Sequence, residues 1–427
     1  MVQLRMVRAV LLAVLGVATP VAASLVQPLA TVACPASVGA GVNCYGGRDG
    51  NGAWVMAAIP QASNGILVVH AHGGPRLGPP KADDPVEDLD RFAVMVRNGY
   101  AWIGSTYRRG GYGVRIAADD VQTSRELFWR QFGKPRRTIL HGQSYGGNVA
   151  AKLAELAALD SDGNRLFDGV LLTNGVLWGG SSAYQFRADL RAVYQHFCRN
   201  HPRPDEAAYP VWQGLPVGSR MTRAELRTRI DDCTGIEKAR ALRSPDQVSR
   251  LAAIVGVTGI AEAELSRHME WATFTFQDLV QVRLGGRNPF DNSKTVYRGS
   301  PDDSALNRDI ERFVADRQAL AQLAYDSDLS GIIAVPTLAL HWKDDPIVSA
   351  DADKDYEAKI GKRDNSGYFL RLISGKGSHS RLPDADVLSA LNALSTWIDG
   401  SAKPSDTDIK TACRKIAAGD KGDCSIQ

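Results

Sequence analysis

Beyond residue 23 the chain has no apolar run approaching the ~18 residues that a membrane-spanning helix needs, so nothing in its body reads as a span. It also lacks a dominant charge: 50 Lys and Arg stand against 47 Asp and Glu, a net of +3. That balance gives no electrostatic reason to expect nucleic acid or an anionic membrane as partner. None of the six cysteines is paired as C-x-x-C or spaced for zinc, and no metal or cofactor is expected. There is no internal repeat and no low-complexity tract. Histidine is scarce, at positions 70, 72, 141, 196, 201, 268, 341 and 379 only, which narrows any chemistry that needs an imidazole.

What is present begins with a leader. Arg5 and Arg8 form a basic start, Ala9 to Val17 is a short apolar core, and Val21-Ala22-Ala23 offers small residues for cleavage before Ser24. This reads as a secretory signal peptide over 1–23, with a secreted or periplasmic product. Its removal takes Lys and Arg from 50 to 48 against 47 acids, leaving +1. In an oxidising compartment an even set of cysteines points to disulfides. Sequence proximity favours Cys34–Cys44, Cys198–Cys233 and Cys413–Cys424 among the fifteen connectivities that six cysteines allow.

Strand and helix patterns alternate through the first half. Ala53 to Ile59 is a strand candidate after a glycine-rich, turn-like stretch from Cys34, and Ile66 to His70 is an apolar run suited to a buried strand. Asp88 to Asn98 reads as one helix, Tyr100 to Thr106 as a strand, and Val121, Phe128 and Phe132 mark another helix. Thr138 to Leu140, Gly169 to Thr173, Val335 to Leu340 and Tyr368 to Ile373 supply further strands, and a helix over 386–398 closes the pattern. Such alternation predicts an α/β fold with a mostly parallel sheet covered by helices on both faces. The rhythm breaks at Asn174, and 174–330 reads as a helical insertion rich in aromatics. The expected organisation is a core of 24–173 and 331–400, an inserted lid or structural appendage over 174–330, and a polar tail over 401–427 held by its own cysteine pair. Trp178, with one or two aromatics from 271–276, is expected to touch substrate while the rest form core.

The stretch on which function turns is Gly142-Gln143-Ser144-Tyr145-Gly146-Gly147, lying between a short strand and an Ala-rich helical pattern. A serine on so sharp a turn needs tiny residues two before and two after it, here Gly142 and Gly146. Its hydroxyl needs a base, for which histidine suits, and a carboxylate that orients the imidazole. Of the histidines, only His379 follows the strand at 335–340 with an acid between, in the loop Gly375-Lys376-Gly377-Ser378-His379. The acid falls to Asp344 or Asp345, with Asp345 favoured because the following Pro346 restrains it to an extended backbone. Oxyanion donors are expected at the Tyr145 N–H and in the loop at Gly73 and Gly74. His70-x-His72 lacks a third ligand at sensible spacing, and Asp160 to Asn164 reads as a polar turn.

Taken with His72-Gly73-Gly74-Pro75, these residues resemble an α/β-hydrolase, and their flavour is similar to the catalytic domain of the prolyl-oligopeptidase family. The resemblance covers about 55–175 and 330–400 and implies serine hydrolase chemistry on a small-molecule or peptide acyl substrate. Two departures from the family stand out: the chain carries no propeller-sized N-terminal region, and the insertion occupies the position of an esterase or lipase lid. A carboxylic-ester hydrolase is the first reading. A serine peptidase or amidase with the same triad is the alternative; an aminopeptidase would need an acidic pair such as those among Asp83, Asp84, Glu87 and Asp88 to hold an ammonium group. The residues do not fix an oligomeric state.

Overall fold

A computed structural model describes residues 27–420 and 422–427; the leader read over 1–23 lies outside them. Nine strands form one sheet: β1 (Ala30–Val32), β2 (Val42–Arg48), β3 (Trp54–Pro60), β4 (Ile66–Ala71), β5 (Ala101–Ser105), β6 (Arg137–Gln143), β7 (Gly169–Thr173), β8 (Thr337–Trp342) and β9 (Phe369–Ser374). Their order is β1-β2-β3-β5-β4-β6-β7-β8-β9. The pairs from β1 to β5 are antiparallel, and those from β5 through β4 to β9 are parallel. The parallel strands are apolar runs because both of their faces are covered, and β4, β5 and β7 are buried at every position.

Helices α1 (Asp84–Arg91), α2 (Ala93–Arg97), α3 (Val114–Phe132) and α4 (Tyr145–Ala157) follow the early strands. Between β7 and β8 come α5 (Gly180–Cys198), α6 (Arg223–Thr234), α7 (Pro245–Thr258), α8 (Leu265–Glu270), two π-helical segments at 271–275 and 278–283, α9 (Asp303–Asp309) and α10 (Arg317–Ser327). The chain closes with α11 (Asp351–Gly361), α12 (Asp384–Ile398) and α13 (Asp406–Asp420). One apolar cluster lies on each face of the sheet. The cluster on the α3 and α4 side runs on without a break into the segment between β7 and β8, through Tyr194, Ile254, Phe276 and Phe290. That segment therefore shares its buried side chains with the sheet rather than enclosing a core of its own.

Two local readings change. The stretch after Cys34, read as turns, forms β2, which pairs with β3 from Val42 opposite Pro60 to Arg48 opposite Trp54. Its Gly46 and Gly47 suit a crowded edge, since an added Cβ would lie 3.3 Å from Val32 Cγ1 and 3.2 Å from Leu29 Cδ2. The ladder overrides a poor strand propensity. The single helix read over 88–98 is two, broken at Phe92, whose ring packs on His70 and His141.

The structure forms the disulfides Cys34–Cys44, Cys198–Cys233 and Cys413–Cys424. Cys198–Cys233 closes a separation of 35 residues between the ends of α5 and α6. On a chain-entropy basis its removal should destabilise by about 4 kcal/mol. The double variant Cys198→Ala/Cys233→Ala is expected to melt several degrees lower, and an unchanged calorimetric midpoint would contradict the estimate. The tail packs along β9: Gly375 donates to the Ser425 carbonyl at 2.7 Å, and Gln427 donates to that of Ile373 at 2.9 Å. Among the described residues no helix is long and apolar enough to cross a membrane.

Candidate active site

The registers of the parallel pairs bring the C-terminal ends of β4, β6, β7, β8 and β9 to one edge of the sheet, and the loops leaving that edge carry the candidate residues. β6 ends at Gln143, and α4 begins at Tyr145. Ser144, between them, has φ 57° and ψ −122°, a region that a non-glycine residue enters only under strain. The neighbours permit it. A Cβ on Gly142 would sit 2.1 Å from the Gly146 carbonyl oxygen, and one on Gly146 would sit 2.0 Å from that of Ala71. Both positions need glycine for want of space.

The strained turn lifts Ser144 Oγ to 2.7 Å from His379 Nε2. On the far side of the ring, His379 Nδ1 lies 2.7 Å from Asp345 Oδ2. Asp345 Oδ1 accepts from the N–H groups of Ile347 at 2.9 Å and Val348 at 3.2 Å. Asp344, the rival acid, is solvent-facing and sits 3.7 Å from Lys343. Burial pushes the Asp345 carboxyl up, but hydrogen bonds from His341 and His379 outweigh it and hold the group below the ordinary carboxylate range. An antiparallel lead-in, a crossed β5-β4 pair, a serine elbow after β6, an acid after β8 and a histidine after β9 make up one known architecture. The chain has an α/β-hydrolase fold.

No family model and no curated protein matches the sequence. Among solved structures, the chain is similar to lipase A from Candida antarctica at 12% identity, covering 89% of this chain and 83% of that one, TM-score 0.45. It is similar to feruloyl esterase B from Aspergillus oryzae at 13% identity over 84% and 82%, TM-score 0.38. It is also similar to an acylaminoacyl peptidase at 13% identity, covering 84% of this chain but 41% of that one, TM-score 0.37.

Around the serine elbow, the loop after β4 lies against β6. A Cβ on Gly73 would meet Gln143 Oε1 at 2.4 Å, and Gly74 has φ 75°. The Tyr145 N–H is the first of α4 and has no intrahelical acceptor. Tyr107 Oη donates to the His72 carbonyl at 2.7 Å, and His72 Nδ1 bonds Asp88. His70 Nδ1 meets His141 Nδ1 at 2.9 Å. Each histidine of the His70-x-His72 pair thus has a side-chain partner at Nδ1, while both Nε2 atoms are buried without a hydrogen-bond partner among the described residues.

Of the four acids that an aminopeptidase would offer an ammonium group, Asp83 is exposed and the other three are engaged. Asp84 and Glu87 pair with Arg76, and Asp88 pairs with His72 and Arg91. Asp160 turns inward on the N–H groups of Asp162 and Asn164. Asp386 lies within ligand distance of Cys413 and Cys424, but those two sulfurs are bonded to each other.

Trp178 donates from Nε1 to Asp355 at 2.7 Å and walls a cavity of about 510 Å3 with Phe186, His268, Asp345 and Pro346. A second cavity, of about 170 Å3, is walled by Gly74, Pro75, Trp271 and Phe274.

Three residues of the site carried no signal as such in the chain. Asn174 Nδ2 donates to the carbonyls of His379 at 2.9 Å and Ser378 at 3.1 Å, while its Oδ1 accepts from Trp342 N at 2.8 Å. Gln143 Nε2 donates to the His379 carbonyl at 2.8 Å. Together they fasten the histidine loop to the ends of β6, β7 and β8. His341, fully buried, faces Asp353 Oδ1 at 2.9 Å through Nδ1 and the Val348 carbonyl at 2.9 Å through Nε2, with Asp345 at 3.6 Å. Two acceptors require two N–H groups, so His341 is an imidazolium. Burial pushes its pKa down, but the Asp353 charge and these hydrogen bonds carry it up to about 10.

A folded pKa above the unfolded value of about 6.5 contributes stability fully present below pH 6.5 and lost as pH rises through about 10. His341→Gln is therefore expected to destabilise by roughly 3 kcal/mol near pH 6. The gap to the parent protein should shrink by pH 10 in urea titrations. A gap that is constant or growing with pH would contradict the cationic assignment.

Proposed function

We propose that the chain is an exported serine hydrolase that cleaves a carboxylic ester of a small-molecule acyl substrate through an acyl-enzyme on Ser144. The reading rests on one observation: the Ser144 Oγ, His379 Nε2, His379 Nδ1 and Asp345 Oδ2 contacts are all in hydrogen-bond reach, in series. Ser144 Oγ attacks the carbonyl carbon as His379 Nε2 takes its proton. Asp345 holds the Nδ1–H tautomer and balances the imidazolium. The N–H groups of Tyr145 and of Gly73 or Gly74 receive the oxyanion, and loss of one such donor typically costs roughly 3 kcal/mol of transition-state stabilisation. The intermediate collapses as His379 returns the proton to the leaving alcohol. Water, deprotonated by the same imidazole, then releases the acid and frees the serine.

Residues 174–330 roof the site in this reading, and Trp178 and Trp271 are its apolar walls toward substrate. Export is supported by the leader pattern and the three disulfides. The same triad would serve an amide. The ester stands first because three of the four acids near the oxyanion loop that would receive a substrate ammonium, Asp84, Glu87 and Asp88, are already paired with arginine or histidine, which leaves Asp83 without the acidic pair an aminopeptidase needs.

A paired assay of short and long p-nitrophenyl esters against aminoacyl p-nitroanilides tests the choice. Esters are expected to turn over with the higher kcat/KM. Anilides turned over well above esters would reverse it in favour of the peptidase.

A further inference from the structure

Arg187, on α5, is 5% exposed and has no carboxylate within ion-pair distance among the described residues. Burying a cation without a counter-charge is unfavourable, and a chain that keeps one usually supplies the missing charge from elsewhere. What surrounds it is aromatic. Its guanidinium carbon lies 4.4 Å from the Phe186 ring centroid, 4.5 Å from that of Trp271 and 5.4 Å from that of Tyr184. Burial lowers its pKa to about 10, as a guanidinium without an anionic partner requires.

Its donors can be counted. Nε–H is given to His268 Nδ1 at 3.2 Å, and one Nη1–H to the Ala183 carbonyl at 2.8 Å. A guanidinium has five N–H groups, so three remain, including both on Nη2, for which no described residue is an acceptor. His268 cannot serve as the counter-charge. Arginine only donates, so Nδ1 must accept, and the proton on Nε2 goes to the Pro346 carbonyl at 3.1 Å. His268 is therefore neutral and fully engaged.

The location gives the unused donors meaning. Phe186 and His268 wall the cavity beside Asp345 and Pro346, and Trp271 walls the one beside Gly74 and Pro75. Arg187 stacks on or bonds to all three, and so touches a wall of each cavity, one of which is lined by Asp345 and the other by Gly74 of the oxyanion loop. Resting on the hydrolase reading above, we propose that Arg187 recognises an anionic group of the substrate and that the substrate is an ester bearing a carboxylate. A carboxylate matches the planar fork of a guanidinium with two parallel hydrogen bonds, which an ammonium or an amide cannot do. Entering the aromatic box, it supplies the charge that the protein leaves out.

The test compares two matched pairs of esters. p-Nitrophenyl hydrogen adipate against p-nitrophenyl hexanoate places the carboxylate on the acyl side. p-Acetoxybenzoate against its methyl ester places it on the leaving group. In the parent protein one acidic ester is expected to exceed its neutral partner in kcat/KM by about 100-fold. In Arg187→Met that ratio should collapse to within about threefold, with Arg187→Lys between the two. Taking the ratio cancels any general loss from the broken His268 contact, and thermal melts verify that each variant is folded.

Labelling of Ser144 by a fluorophosphonate separates this proposal from the one it rests on. If the parent protein is labelled but neither acidic ester gains over its partner, anion recognition is overturned and the hydrolase stands. The same holds if the ratio survives in Arg187→Met. If Ser144 is not labelled, the hydrolase reading itself falls.

Discussion

Ser144→Ala should lower kcat on any ester substrate by about a millionfold, leaving only the catalysis that oxyanion donors and binding supply without a nucleophile. The loss is that large because the hydroxyl is the group that forms the acyl bond, so no acyl-enzyme forms after its removal. The same position gives a second reading that a merely structural serine would not. Its backbone sits at φ 57° and ψ −122°, a conformation that costs an L-residue about 1–3 kcal/mol. Alanine retains that strain, whereas glycine relieves it. Ser144→Gly should therefore be as inactive as the alanine variant yet more stable than the parent protein by about 1 kcal/mol. Turnover within tenfold of the parent in either variant, verified free of contaminating hydrolase, would remove the basis of the proposed chemistry.

Asp345→Asn should lower kcat by about 10,000-fold, the scale expected when a triad carboxylate becomes an amide and the imidazole is held in the wrong tautomer. The amide nitrogen can face Nδ1 only if that atom gives up its proton, which leaves Nε2 protonated and unable to accept from Ser144. Asp344→Asn, at an exposed side chain whose ion-pair partner is Lys343, should change kcat by less than threefold. The pair of variants thus distinguishes adjacent residues of identical chemistry.

A pH dependence accompanies the first of them. The folded Asp345 carboxyl lies below its unfolded value, so its contribution to stability is present above the ordinary carboxylate pKa and fades as the solution is acidified through and below it. The stability gap between Asp345→Asn and the parent should narrow toward acid. Equal kinetic losses in the two variants would contradict the assignment of roles.

How far the sequence carried depended on how local each constraint is. The elbow is legible because its glycines stand within five residues of each other around the serine: a Cβ on Gly142 would lie 2.1 Å from the Gly146 carbonyl oxygen, a local demand, whereas the 2.0 Å clash of one on Gly146 is with Ala71 on β4 and only the fold supplies it. β4 and β7 are legible because burial on both faces writes an unbroken apolar run. β2 was not, because Gly46 and Gly47 read as a turn and only the ladder to β3 makes them a strand.

His379 stood out by scarcity and chain order. The choice between Asp344 and Asp345 did not resolve in the same way. The two share a composition and a turn; Pro346 after Asp345 favours it in the chain, and the fold adds that Asp345 points back over the sheet edge to His379 while Asp344 faces solvent.

Chain order and short-range sterics, then, determined the layered fold, favoured the disulfide pairing by proximity and singled out Ser144 and His379 as candidates. Everything that depends on one side chain meeting another far along the chain was decided by the tertiary structure. His341 becomes a cation only where Asp353 and the Val348 carbonyl face both of its nitrogens. Asn174 becomes a clamp only where β7 and β8 end beside the histidine loop. Arg187 is conspicuous only because folding buries it among three rings and brings no acid with it. The physical reason is the same throughout: backbone sterics and apolar periodicity act over a few residues and leave a pattern in the chain, whereas protonation, desolvation and hydrogen-bond partnership belong to the environment and have no sequence signature of their own.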